Sequence, residues 1–136
     1  MKETATLGFP STELEDLEFL DRARGVQLRL SHEADDGSMA VAGWEFAWTR
    51  AYRHRAESHC TVWHIEHAYD TLVDVEDSEW VAELRDAMPE DMRTLFEMHH
   101  YMIYVDSYGC YEVVAQTWAP LPGGEASHGE GRPGAE

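Results

Sequence analysis

The sequence predicts an α+β protein: a single, mainly antiparallel sheet of about five strands, with an N-terminal helix and two short helices before a C-terminal β-hairpin. Three observations carry that prediction. "VQLRLSH" alternates apolar and polar residues and runs into the turn "EADDG". Two runs rich in β-branched and aromatic residues flank "SYG" near the end of the chain. The stretches between strands are too short for repeated βαβ crossovers, which favours antiparallel pairing.

Residues 1–10, "MKETATLGFP", show no apolar core and no signal-peptide cleavage pattern, and are expected to be flexible. "STELEDLEFLDRARG" reads as the N-terminal helix. Thr12 and Glu15 have capping-box spacing, Leu14, Leu17, Phe19 and Leu20 form an apolar stripe, and Gly25 follows as a stop. In the next run Val26, Leu28 and Leu30 share one strand face, and "EADDG" turns the chain back. The returning segment places Trp44, Phe46 and Trp48 on one face of a strand. A helix is the alternative over "WEFAWTRAYRHRA", but Gly43 and the preceding hairpin turn favour the strand.

"SHCTVWHIEHAYDTLVDV" is rich in β-branched and aromatic residues and reads as one long strand or two consecutive ones. "EDSEWVAELRDAM" starts a short helix at Asp77 or Ser78, and Pro89 ends it and opens a second over "PEDMRTLFEMHH". The final hairpin has Gly109 available at its turn. Residues 11–120 are read as one α+β domain, and the Pro/Gly-rich acidic stretch 121–136 as a disordered tail.

The formal net charge is −17, with 27 acidic residues against 10 basic ones. A surface of that sign repels phosphate backbones and anionic lipid, so neither nucleic acid nor a membrane is an expected partner, whereas a basic protein is. No apolar run is long enough to cross a bilayer, and the chain reads as cytoplasmic, where Cys60 and Cys110 would stay reduced. Oligomeric state is not marked in the sequence.

"HCTVWHIEH" gathers three histidines and a cysteine. On a helix Cys60, His64 and His67 would share one face and form a partial metal site; on the expected strand they separate. A site assembled across strands would recruit His64 with Glu66, or with His99 or His100. No nucleophile elbow, P-loop, dinucleotide fingerprint, Cys-x-x-Cys or His-Glu-x-x-His is present, so no catalytic residue and no cofactor is expected. Arg50, Arg53 and Arg55 with His54 form the one basic cluster, set either to pair with acids across strands or to bind an anion.

A small acidic chain with Trp-rich strands and no catalytic motif resembles, in general type, bacterial immunity and antitoxin proteins, which implies no residue assignment. The leading expectation is a non-catalytic module that binds a basic partner through aromatic anchors beside acids: Trp44 with Glu45, Asp77 with Trp80, and Asp106 with Tyr108 at the hairpin tip. The competing one is a small-molecule or metal-binding domain, an enzyme in one version, using an aromatic sheet face and the clustered histidines.

Overall fold

The computed structural model describes residues 1–121. Alternating apolar patterns at both ends of the chain fold into two antiparallel sheets that pack face to face, and two short helices cover the outer side of one of them. The five-stranded sheet has the order β1-β6-β7-β8-β5, formed by Lys2–Thr6, Thr71–Asp74, His99–Val105, Gly109–Ala115 and Ala51–Arg55. The four-stranded sheet has the order β2-β3-β4-β9, formed by Leu14–Arg22, Gly25–Glu33, Met39–Ala47 and Thr117–Pro120. The helices are α1, Val62–Ala68, and α2, Glu79–Asp86. None is long and apolar enough to cross a membrane.

The core lies between the sheets. Val26, Leu28, Leu30, Trp44 and Phe46 from β3 and β4 meet Leu72, Tyr101, Ile103, Val105, Tyr111, Val113 and Ala115 from β6, β7 and β8. These are the alternate residues of each strand, as the period of two requires. Their neighbours on β7 and β8 face the other way, where Met102, Tyr104 and Cys110 join Val73 and Ala68 in a smaller cluster under α1. The central hairpin is therefore buried on both faces, and every residue of β8 is buried.

The strand at 26–33, the return strand and the final hairpin match the pattern read from the sequence, and α2 begins after Ser78, whose Oγ accepts the Val81 amide at 3.1 Å. The expected single sheet is two, because β4 ends at Ala47 and the chain crosses over. Trp48 adopts φ 55 and donates its amide to Arg24, and β5 then pairs with β8 instead of with the sheet it came from. A second crossing after β8 returns β9 to β4.

The expected N-terminal helix is strand β2. Its pairing with β3 slips between Leu14 and Asp16, an irregularity of the bulge kind. The inserted residue puts Leu14 and Leu17 on one side of a strand at a spacing that imitates a helical stripe. The second short helix shrinks to a 3-10 turn at Glu90–Met92. Residues 2–6, expected to be flexible, pair as β1 with β6 along the sheet edge. The tail expected at 121–136 lies, after Leu121, outside the described residues.

Candidate functional site

Within the segment expected to be a strand, "VWHIEHA" is the helix α1, and this reverses the reading of its histidines. His64 and Ala68 are the buried residues of α1, while His67 is exposed. The apolar residues point out: Val62 is 74% exposed, Trp63 43%, Ile65 40% and Tyr69 40%. Val62 and Ile65 stand three residues apart on the outer face, while Tyr69, just past the helix end, sets its ring 5.8 Å from that of buried Tyr104. An amphipathic helix normally presents the opposite arrangement, with its apolar stripe on the core. His64 stabilises the helix start, since its Nδ1 accepts the Thr61 amide at 3.0 Å in the role a glutamate plays in a capping box.

Beneath α1 and beside α2, the outer face of the five-stranded sheet holds a buried polar cluster. Glu112, on the doubly covered strand β8, is 1% exposed. Its Oε1 accepts from His100 Nε2 at 2.7 Å and from Arg53 Nη2 at 3.0 Å, Arg53 being its direct partner across the β5–β8 pair. His100 Nδ1 in turn faces Ser78 Oγ at 2.8 Å. Both ring nitrogens of His100 are thus engaged, Nε2 by the Glu112 carboxylate and Nδ1 by the Ser78 hydroxyl. Trp80 closes the edge, with Arg53 stacked 3.9 Å over its ring and His100 meeting it edge-on at 5.1 Å. Burial raises the Glu112 carboxyl, but the bonds from His100 and Arg53 outweigh it and hold the group at about 2.

The other carboxylate oxygen, Oε2, is buried and has no hydrogen-bond partner among the described residues. On its side of the sheet stand Cys110 and His64. One donor atom each from His64, Cys110 and Glu112 lies within 4.8 Å of the other two, and all three residues are buried. Cys60, four residues before His64, packs on the same cluster as Cys110. Burial pushes both thiols up, that of Cys110 far above the ordinary thiol range. Burial first, and Arg55 second, push the His64 imidazole down, towards its neutral form.

A second feature lies at one open end of the sandwich, a cleft of about 1010 Å³ floored by Phe46, Tyr101 and Trp118 and rimmed by Arg22, Arg24 and Glu45. His99 borders it, with Asp74 Oδ2 2.9 Å from Nδ1 and Glu97 Oε2 2.9 Å from Nε2.

The residues expected to anchor a partner do not share one surface. Trp44 is 1% exposed in the inter-sheet core, which removes it as an anchor, and its neighbour Glu45 accepts from Gln27 at 3.3 Å at the cleft. Trp80 is half-buried as the cover of the Glu112 cluster, and only Asp77 of that pair is exposed. Tyr108 packs against the inter-sheet core although it sits in the hairpin turn, and Asp106 is half-buried beside it. The histidine set also divides. His64 and His100 both border Glu112, whereas His99 faces the cleft on the opposite side of the sheet and Glu66 is exposed on α1. The cross-strand pairing expected of the basic cluster is made by Arg53.

Sequence reasoning did not single out Glu112, and read Cys110 as a reduced thiol without joining it to His64. A signal for Glu112 was present: it is the one charged residue in "YGCYEVVA", a run apolar enough to be covered on both faces. In comparisons with known proteins, no family model matches the chain, and neither a curated protein nor a solved structure matches it.

Proposed function

We propose that this protein is a protein-binding module whose docking surface is the outer face of α1, and that its partner is a cationic protein segment carrying apolar side chains. The inverted polarity of α1 carries this reading, since the helix buries a histidine while Val62 is 74% exposed and Trp63 and Ile65 keep 40% or more of their surface open. Large apolar and aromatic side chains grouped in a polar rim are the usual energetic centre of an interface. Charge supplies the sign of the partner. Glu66 lies on α1, and burial first, then the nearby carboxylates of Asp70, Asp106 and Glu57, push the Tyr69 hydroxyl up. The whole chain adds a net −17, which steers a basic partner towards this rim and repels an acidic one.

Site-directed photo-crosslinking in the native cell tests the proposal. A benzophenone side chain at Ile65 should yield one dominant adduct with a protein of basic surface, and the same group at Met39, which is 59% exposed on β4, should not. Against that purified partner, Trp63→Ala should weaken binding by about 1–3 kcal/mol, and added salt should slow association. Equal labelling from both positions, or none from Ile65, sinks the proposal.

The aromatic cleft favours a second reading, a small-molecule site, because Phe46, Tyr101 and Trp118 form an apolar floor beside the polar groups of Asp74, Glu97 and His99. Amide chemical shifts recorded against a fragment library check it. Changes grouped at His99 and Trp118 would support a ligand site, and scattered or absent changes would remove it.

A further inference from the structure

We propose that the space under α1 is a binding site for a zinc-type divalent transition-metal ion, ligated by His64, Cys110 and Glu112 with Cys60 as the fourth donor. The inference goes beyond the docking surface and does not depend on it.

The geometry of α1, the turn before it and β8 makes the donor set. His64 is carried inward by α1, and Cys60, the extended residue that ends the 3-10 turn Glu57–His59 just before the helix, packs on the same cluster, its thiol now donating to the Ala56 carbonyl at 3.5 Å. Cys110 and Glu112 are two residues apart on β8 and so share its α1-facing side. The three buried donor atoms already lie within 4.8 Å of one another. In a tetrahedral zinc site neighbouring donors stand ~3.3–3.8 Å apart, as bonds of about 2.0–2.3 Å require, so a contraction of roughly 1 Å completes the arrangement. Sulfur, imidazole and carboxylate together suit zinc or cobalt over magnesium or calcium, which select all-oxygen sites.

An independent observation concerns Glu112. Its Oε1 takes two hydrogen bonds, from His100 and Arg53, while Oε2, buried on the same 1% exposed side chain, takes none among the described residues. A buried carboxylate oxygen without a partner costs free energy that the fold does not recover elsewhere. An ion on Oε2 would recover it, and the bonds on Oε1 would then be the outer contacts that orient a ligating carboxylate. His64 has a matching provision. With the ion on Nε2 the ring proton moves to Nδ1, where Thr61 Oγ1, 3.0 Å away, accepts it in place of the amide bond that now holds the ring. Binding also releases the Cys110 thiol proton, and the charges of Arg53 and Arg55 beside the cluster keep a thiolate-rich site from becoming strongly negative.

The test uses the full chain without a histidine tag, reduced and stripped with chelator, then titrated with Co²⁺ and Zn²⁺. About one equivalent of Co²⁺ should bind with a thiolate-to-cobalt charge-transfer band and the strong visible absorption of a tetrahedral ion. Zn²⁺ should displace it and raise the melting temperature. His64→Gln should weaken Zn²⁺ binding by at least ~10-fold, and Cys60→Ser should diminish the charge-transfer band without abolishing it. Cys110→Ala should abolish ordered tetrahedral binding while circular dichroism shows a folded chain. If that buried substitution prevents folding, the His64 and Cys60 variants decide the matter alone. Less than about 0.2 equivalents bound, cobalt spectra without a thiolate band, or affinity unchanged in the His64 and Cys60 variants would overturn the assignment.

Discussion

In the β7–β8 hairpin every residue of Gly109–Ala115 is buried, while the seven-residue α1 that lies against it buries only His64 and Ala68. The hairpin is built from residues that favour strands, in a pattern that suits a strand, and its neighbours on both sides agree with that choice. In α1 these levels disagree. Thr61, Val62, Trp63 and Ile65 favour strands, yet they start a helix, and their apolar side chains are turned to the outside. Sequences are usually consistent across these levels, and the exceptions gather where something other than folding decides the residue. The contrast between the two regions thus separates residues set by the fold from residues available for an encounter.

Two single substitutions and one double variant bear on that contrast, beyond the tests above. The largest effect should come from Glu112→Ala, which leaves His100 buried without its acceptor and Arg53 without its partner. Removing one member of a buried pair typically costs about 3–5 kcal/mol, and denaturant unfolding should show a loss near the lower end because Arg53 reaches water. A loss below about 1 kcal/mol would mean that the cluster is not integral to the hairpin's stability. Ser78→Ala should cost less, about 1–2 kcal/mol by the same measurement, since it removes both the cap of α2 and the bond to His100 Nδ1. Its effect should shrink in a Glu112→Ala background, because the two residues act on one histidine. The smallest change should come from Ile65→Ala with Val62→Ala. Both side chains are exposed and alanine is the better helix former, so melting should move by no more than the equivalent of about 0.5 kcal/mol per site, in the stabilising direction if at all. A loss of about 2 kcal/mol would show that this face supports the fold itself, and the docking proposal would fall with it.

Much of the fold was legible because alternation is a strong signal when one face is buried. Val26, Leu28 and Leu30 announce β3, and "SYG" between two β-rich runs announces the hairpin. β2 was not legible as a strand, since an inserted residue at Glu15 converts alternation into spacing of three. The division into two sheets was hidden for a related reason. Trp44, Phe46 and Trp48 read as one face of one strand, and only the positive φ at Trp48 shows that the chain leaves the sheet there. The candidate sites were less legible still. α1 depends on contacts that its local sequence opposes, and Glu112 is one of 27 acidic residues whose distinction is its neighbours in space. Convergence of His64 with Cys110 joins positions 46 apart in sequence, through pairings of β5 with β8 and of α1 with β7 that no local pattern encodes.

β2 carries one more consequence. It is nine residues long and, among the described residues, forms the outermost strand of its sheet, with no strand paired along its other side. Such a strand is a template for pairing with a second chain. Here it bears Glu15, Asp16, Glu18 and Asp21, all exposed, so two copies approaching along this rim meet as rows of like charge. The acids that imitate the first turn of a helix in the sequence serve as a barrier against fibre growth in the folded protein. The barrier is electrostatic and therefore conditional: at about 1 M salt, where charges are screened beyond roughly 3 Å, solubility should fall, and the first contacts between molecules should form along β2.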